Sequence, residues 1–98
     1  MSSIHHVMIR GRVQGVGYRA FVEYEASQRG IGGWVRNRRD GTVEVVLAGS
    51  EDAIAGVLEA CRKGPWGARV DAIDQHKAGQ TELSLRRAGE SFSVLPTL

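Results

Sequence analysis

Cysteine and long hydrophobic runs are scarce in this sequence, and both scarcities narrow the class of protein. The single cysteine, Cys61, has no partner for an intramolecular disulfide, and its place among apolar residues at helical spacing predicts a buried thiol. The apolar stretch at residues 4–9 is interrupted by two histidines and is too short for a signal-peptide core or a membrane span. We therefore expect a cytosolic protein with no membrane partner.

The sequence also lacks the length for several domains and any large excess of charge. Its 98 residues, 42% of them hydrophobic, predict one compact domain over residues 1–98, which we expect to be a monomer. Thirteen basic and eleven acidic residues give a formal net charge of +2, which favours anionic partners only weakly. Several cations are concentrated in the first forty residues: Arg10, Arg12, Arg19, Arg36, Arg38 and Arg39.

Residue spacing predicts a strand followed by a helix in the first third of the chain. Residues 7–13 alternate with a period of two, which is typical of a strand with one covered face. Residues 20–29 have apolar side chains at helical spacing and end before Gly30, a residue suited to a left-handed C-cap.

The middle of the sequence predicts a β-hairpin. Residues 33–39 and 42–48 are β-branched segments joined by Asp40-Gly41, and this dipeptide between alternating segments is a strong hairpin signal. The two segments are therefore predicted to be antiparallel neighbours.

The second half predicts one helix and two further strands. Ser50 can cap a helix that has an apolar stripe at residues 54–61 and is stopped by residues 62–65. Residues 68–75 and 92–95 have strand character, while residues 76–90 fit either strand or loop. The resulting fold class is α+β: a ferredoxin-like (split βαβ) sandwich, βαββαβ, with one antiparallel sheet and two helices packed on one face. That topology by itself does not identify a function.

A glycine loop separates the first strand from the first helix. Gly15 and Gly17 allow the backbone to turn tightly and point N–H groups inward, and the following helix adds its unpaired N-terminal donors. Arg19 brings a planar set of donors that matches phosphate oxygens. The loop predicts an anion site. The alternative is that the glycines serve only a tight connection between strand and helix and that Arg19 is solvated.

The same glycines also match a dinucleotide-binding fingerprint. Gly15, Gly17 and Ala20 satisfy G-x-G-x-x-A, and Asp40 lies at about the expected distance downstream. That fingerprint requires a parallel second strand, whereas the second strand here turns back into a hairpin. We therefore expect no nucleotide cofactor.

Asn37 is the polar exception on an otherwise apolar strand face. If Val35 faces the helices, the two-residue period places Asn37 on the same covered face, where an amide must find partners. Asn37 fits either a satisfied structural residue near a strand end or a member of a site. Trp34 is interpreted as a packing residue, and Arg36 is expected on the open face of the sheet.

Four segments together resemble the acylphosphatase family: GRVQGVGYRAFV, GGWVRN, DGTVEVVLAG and GPWGARV, which cover nearly the whole chain in the right order. The resemblance implies the same sandwich and an enzyme that hydrolyses the carboxyl-phosphate bond of acyl phosphates to a carboxylate and inorganic phosphate. It implies that Arg19 anchors the phosphate and that Asn37 orients the attacking water, which makes these two the candidate catalytic residues. The implied phosphate-binding loop is Gly15, Val16, Gly17, Tyr18 and Arg19.

The sequence departs from that family at two positions, but its motifs fit hydrolysis without a metal or a covalent intermediate. Tyr18 stands where phenylalanine is common, and Arg29 stands where leucine is frequent. The motifs contain no Ser-His pair, paired carboxylates or metal-ligand spacing, so we expect no metal, no cofactor and no covalent intermediate. A chelator should leave activity intact, and the physiological acyl phosphate stays open.

Three other functions compete with this interpretation. A non-catalytic nucleic-acid-binding module of ferredoxin-like fold is the main alternative, but such modules stack bases on aromatic residues of the two central strands. The expected open-face positions hold none: His6, Met8, Arg10, Arg12, Thr42, Glu44, Val46 and Ala48. We therefore expect no specific nucleic-acid partner. The second is a domain like that of hydrogenase-maturation carbamoyltransferases, which usually begins a much longer protein. The third is a ligand-binding module without catalysis, which would not need both Arg19 and Asn37.

Overall fold

The computed structural model describes residues 2–98, which contain five strands and three helices. The elements are β1 (Ser2–Arg12), α1 (Tyr18–Gln28), β2 (Gly32–Asn37), β3 (Val43–Ser50), α2 (Glu51–Lys63), β4 (Arg69–Lys77), α3 (Gln80–Leu83) and β5 (Phe92–Val94). The predicted βαββαβ order is confirmed, and α3 and β5 follow it. None of the helices within residues 2–98 is long and apolar enough to cross a membrane.

The five strands form one sheet in the order β4-β1-β3-β2-β5. The pairs β1–β3, β1–β4 and β2–β3 are antiparallel, as predicted, and the hairpin pairs Val35 with Val45. At the edge, β5 runs parallel to β2 with Gly33 opposite Phe92, so the sheet is mixed rather than wholly antiparallel. The difference arises because the chain crosses from β4 at one edge to the opposite edge before β5 forms.

Helix α1 begins two residues earlier than the spacing predicts. Gly17, in the left-handed region with φ 77°, is the N-cap, and no side chain caps the helix. Tyr18 therefore opens the helix, and Arg19 lies in its first turn. At the other end, Arg29 is the C-cap and Gly30 follows with φ 66°.

In the second half of the chain, the predicted helix α2 is confirmed. The structure also resolves residues 76–90, for which the sequence allowed either strand or loop. Ser50 Oγ accepts a hydrogen bond from the Ala53 amide at 3.1 Å, and Gly64 ends the helix. Strand β4 extends to Lys77, and one helical turn, α3, follows it. The segment at residues 76–90 is thus the end of a strand, a short helix and a turn.

Helices α1 and α2 cover one face of the sheet and build the main core. That core joins alternate strand residues to the apolar stripes of both helices: Val7, Ile9, Val35, Val43, Val45, Val22, Ala26, Ile54, Val57 and Leu58. A smaller cluster on the opposite face packs Trp34 and Val46 against Leu83 and Leu95. Trp34 is therefore a packing residue, as predicted, and α3 covers part of the face expected to be open.

Candidate active site

The glycine loop depends on two left-handed residues. Gly15 has φ 75° and Gly17 has φ 77°, in the left-handed region that residues with a Cβ rarely adopt. A Cβ at either position would meet no atom within 4 Å, so the requirement is conformational rather than one of space. The first helical hydrogen bond joins the Phe21 amide to the Gly17 carbonyl at 3.1 Å. The preceding helical amides therefore lack helical acceptors and are available to an anion.

A cavity of about 370 Å³ brings the two candidate catalytic residues together. Arg19 comes from the first turn of α1, and Asn37 comes from the last residue of β2. Of the predicted loop, only Val16 lies outside the lining, because its side chain packs against the main core. The lining consists of Val13, Gln14, Gly15, Gly17, Tyr18, Arg19, Ala20, Glu23, Asn37 and Val94.

The Arg19 side chain is free to bind a ligand. It is half-buried, and within residues 2–98 no carboxylate lies within 4.0 Å of its guanidinium. A planar guanidinium beside unpaired helix amides can donate to two oxygens of one phosphate. The cavity therefore brings together donor groups of the kind that bind a tetrahedral anion.

Asn37 carries a buried polar atom without a partner. Its Oδ1 is buried and accepts no hydrogen bond from the described part of the chain, although such a group costs about 1–3 kcal/mol when left unsatisfied. Val35 is in the main core, so the predicted placement of Asn37 on the helix-covered face is confirmed. Asn37 is also one of the residues that line the Arg19 cavity.

Gln14 fixes the glycine loop against the hairpin that carries Asn37. Its Nε2 donates to the Arg38 carbonyl at 2.7 Å and to the Thr42 carbonyl at 2.9 Å. Sequence reasoning did not identify this residue, because its acceptors lie 24 and 28 positions away in the chain. The only local signal was an amide side chain directly before the glycine loop.

The hairpin itself is locked by Asp40. Its carboxylate accepts hydrogen bonds from the Thr42 hydroxyl at 2.7 Å and from the Thr42 amide at 3.0 Å, and these bonds lower the pKa of Asp40. Asp40 is thus a turn residue in an antiparallel hairpin, which agrees with rejecting the dinucleotide fingerprint.

Tyr18 joins the start of α1 to α2. The side chain is buried, and its hydroxyl donates to the Cys61 carbonyl at 2.7 Å. Burial is the main cause that raises the pKa of Tyr18, so the hydroxyl stays protonated. The Cys61 thiol is buried, as predicted, and burial raises its pKa to about 11. The tyrosine at this position therefore has a structural partner.

Arg29 and Arg36 lie outside the cavity. The Arg29 guanidinium pairs with the Glu25 carboxylate at 2.5 Å along the edge of α1. Arg36 is on the face opposite the long helices, as predicted, and its guanidinium carbon lies 4.6 Å from the centroid of the Trp34 ring. Within residues 2–98, no three side chains among His, Cys, Asp and Glu are arranged to hold a metal ion.

Comparison with known proteins identifies the family of this chain. The family model for acylphosphatase matches residues 5–92. The acylphosphatase of Bradyrhizobium diazoefficiens is 59% identical over 96 residues, covering 98% of this chain and 97% of that protein. The acylphosphatase of Rhodopseudomonas palustris strain BisB18 is 54% identical over 95 residues, covering 97% of this chain and 96% of that protein.

Solved structures give the same family assignment. The crystal structure of acylphosphatase from Bacillus subtilis is 35% identical with a TM-score of 0.82, covering 97% of this chain and 99% of that one. Full-length HypF in its phosphate- and nucleotide-bound form has a TM-score of 0.83 at 21% identity, but the match covers only 12% of that protein. That likeness shows a shared fold alone. This chain belongs to the acylphosphatase family.

Proposed function

We propose that this acylphosphatase hydrolyses acyl phosphates by direct attack of water on a phosphate held between the Gly15–Arg19 loop and the start of α1. One observation carries the proposal: Arg19, whose guanidinium has no salt-bridge partner, and Asn37, whose Oδ1 is buried and unpartnered, line the same cavity. The products are a carboxylate and inorganic phosphate.

In this proposal, the glycine loop and Arg19 bind the phosphoryl group. The helix N-terminus contributes N–H donors and the positive end of its dipole, while the guanidinium supplies a full charge and two parallel donors. These groups are held in place before substrate arrives, since Gln14 and Tyr18 fix the two ends of the loop. Preorganised donors stabilise the charge that gathers on the phosphoryl oxygens in the transition state.

Asn37 is assigned the role of positioning the attacking water. Its Oδ1 accepts a hydrogen bond from that water, and the water oxygen forms a bond to phosphorus as the bond from phosphorus to the acyl oxygen breaks. The electron pair of the broken bond leaves with the carboxylate, and a proton of the water passes to a phosphate oxygen. A carboxylate is a good leaving group, so alignment and charge stabilisation suffice without a strong base.

Two variants test the assigned roles in an assay of phosphate release from acetyl and benzoyl phosphate. Arg19→Ala should lower kcat/KM by about 10² or more and weaken phosphate binding, whereas Asn37→Ala should lower kcat by a similar factor and leave phosphate binding intact. Binding is measured separately as the rise in Tm that inorganic phosphate causes.

The matched controls lie away from the cavity. Arg10→Ala removes an exposed arginine paired with Asp74, and Gln28→Ala removes an exposed amide at the end of α1, so neither should alter the rate. Parental activity in Arg19→Ala or Asn37→Ala would refute the role assigned to that residue. A preference for phosphate monoesters over acyl phosphates would refute the reaction class.

We also propose that residues 1–98 form one acylphosphatase domain that acts as a cytosolic monomer without a specific nucleic-acid partner. The single sheet with one main core supports the domain assignment. On the sheet face that nucleic-acid modules of this topology use, Arg36 and Arg38 are bound by Glu44 and Trp34 is buried, which argues against base stacking there. Light scattering tests whether the protein is a monomer. A titration with single-stranded RNA at moderate salt tests whether it lacks a specific nucleic-acid partner.

A further inference from the structure

Glu23 is an acidic side chain in the wall of the phosphate cavity. It lies four residues after Arg19 on α1, so the two side chains are neighbours on the same face of the helix. Arg19 and Glu23 are the lining residues that are charged at neutral pH. The proposed phosphate site thus has a carboxylate about one helical turn beyond its anchoring cation.

The charge of Glu23 is not neutralised by a salt bridge. The side chain is half-buried, and within residues 2–98 no cationic nitrogen lies within 4.0 Å of its carboxylate. By contrast, Glu25 on the same helix pairs with Arg29. The carboxylate of Glu23 therefore presents a negative charge beside the proposed phosphate site that no cation of the fold offsets.

The cavity offers room for more than a phosphate. Its volume of about 370 Å³ falls within the range of small-molecule sites, and Ala20 and Val94 give it apolar wall next to Glu23. Once a phosphate occupies Arg19, the charge left in this wall is negative. An acyl group that carries its own anionic charge would then meet a second like charge at close range.

We infer that Glu23 is a specificity-determining residue that selects against acyl phosphates whose acyl part is anionic. This inference rests on the proposed function. The favoured substrates are acyl phosphates with a neutral or amino-bearing acyl group, and the disfavoured ones carry a carboxylate or a second phosphate. Two unit charges about 6 Å apart in a partly solvated site repel enough to change kcat/KM about tenfold.

Exposed arginines outside the cavity do not cancel this selection. Arg39 on the hairpin is exposed and attracts every anionic substrate, but solvent and salt screen its field. Glu23 belongs to the cavity wall, where screening is weaker. The selection is therefore expected to persist at physiological ionic strength, whereas general attraction of anions declines.

The test compares two substrates that differ in acyl charge, acetyl phosphate and succinyl monophosphate, in the parent protein and in Glu23→Gln. The parent should prefer acetyl phosphate, and Glu23→Gln should reduce the ratio of the two kcat/KM values about tenfold by raising the rate on succinyl monophosphate. The ratio cancels any effect of Glu23 on the phosphate group, which both substrates share. Glu59→Gln, an exposed glutamate on α2, is the control and should leave the ratio unchanged.

A second variant and an equilibrium measurement complete the test. Glu23→Lys should reverse the preference. The affinities of methyl-terminated and carboxylate-terminated acyl phosphonates, measured by calorimetry, should shift in the same direction as the rates. An unchanged ratio in Glu23→Gln, with both substrates hydrolysed, would overturn the inference and leave the proposed function intact. Failure of the parent protein to hydrolyse either substrate would instead overturn the proposed function.

Discussion

The polar side chains on the two faces of the sheet differ in whether the protein satisfies them. On the face opposite α1 and α2, the Glu44 carboxylate accepts three hydrogen bonds, from His6 at 2.7 Å, Arg36 at 2.7 Å and Arg38 at 3.1 Å. On the helix-covered side, Arg19 and the Oδ1 of Asn37 find no partner within residues 2–98. The polar groups of the first cluster pair with one another, whereas those of the second are left unpaired by the described part of the chain.

This difference separates polar groups that stabilise the fold from polar groups that bind. A buried carboxylate with several charged donors stabilises the native state mainly because the loss of one member leaves the others unpaired. An unpartnered buried acceptor lowers stability, so its retention indicates a use in binding or chemistry. Variants of the two clusters should therefore affect different properties.

The largest contrast is expected between Asn37→Ala and Glu44→Gln. Asn37→Ala should cost about 10² or more in kcat without lowering the free energy of unfolding, since it removes an acceptor that the fold does not satisfy. Glu44→Gln should lower the free energy of unfolding by about 2–4 kcal/mol and leave kcat per folded molecule close to parental. Urea unfolding and phosphate release measure the two quantities.

The control for Glu44→Gln is Asp74→Asn. Asp74 pairs with Arg10 at 3.5 Å, but both side chains are mostly exposed, so this change should have little effect on unfolding. If Glu44→Gln lost activity in step with Asn37→Ala, the two faces would not be functionally separate.

Acid should remove the stabilisation that the Glu44 cluster gives to the folded state. Burial alone would raise the pKa of Glu44, but hydrogen bonds from His6 and Arg36 and the charge of Arg36 outweigh it and lower that pKa. A lowered folded-state pKa means that the stabilisation is present above the ordinary glutamate value of about 4.3 and is lost as pH falls through the folded value. Between about pH 5 and pH 3, the parent should therefore lose more stability than Glu44→Gln. Parallel pH curves for the two proteins would contradict this assignment.

The features that sequence predicted are those encoded by neighbouring residues. Asp40-Gly41 predicted the hairpin, and Ser50 predicted the start of α2, because turns and caps depend on a few consecutive side chains. The alternation from Val35 to Asn37 predicted the shared face that brings Asn37 to the cavity. Together these local signals sufficed for the βαββαβ order, whereas the expectation that Arg19 and Asn37 act together came from the family resemblance.

The features that sequence did not predict depend on distant partners or on backbone conformation. The parallel pairing of β5 with β2 joins segments almost 60 residues apart, so no local pattern encodes it. The early start of α1 depends on the left-handed Gly17, since no side chain marks the cap. The partners of Gln14, and the Glu44 cluster on the opposite face, exist only once the sheet has formed.

Gln14→Ala should produce an intermediate effect, because Gln14 positions the loop without belonging to the unpartnered set. Its loss removes the donors to the Arg38 and Thr42 carbonyls and loosens the glycine loop relative to Asn37. We expect kcat to fall about tenfold and stability to fall by about 1 kcal/mol. The rise in Tm caused by inorganic phosphate should persist, since the loop amides and Arg19 remain. Gln28→Ala is the matched control. A parental kcat in Gln14→Ala would refute the proposal that Gln14 positions the loop.

The smallest effect is expected for Tyr18→Phe, which restores the residue common in the resembled family. The change removes the hydroxyl that donates to the Cys61 carbonyl at 2.7 Å but keeps the buried ring, so stability should fall by about 1 kcal/mol or less. Because that hydroxyl is engaged with α2, kcat and phosphate affinity should be unchanged. Tyr24→Phe, which alters a tyrosine that is 59% exposed, is the control for removal of a phenolic hydroxyl and should leave both stability and rate unaltered. A marked loss of activity in Tyr18→Phe would show that this hydroxyl, although satisfied by the protein, also contributes to the reaction. The rule that partnered polar groups on this molecule stabilise and unpartnered ones bind would then fail at the cavity wall itself.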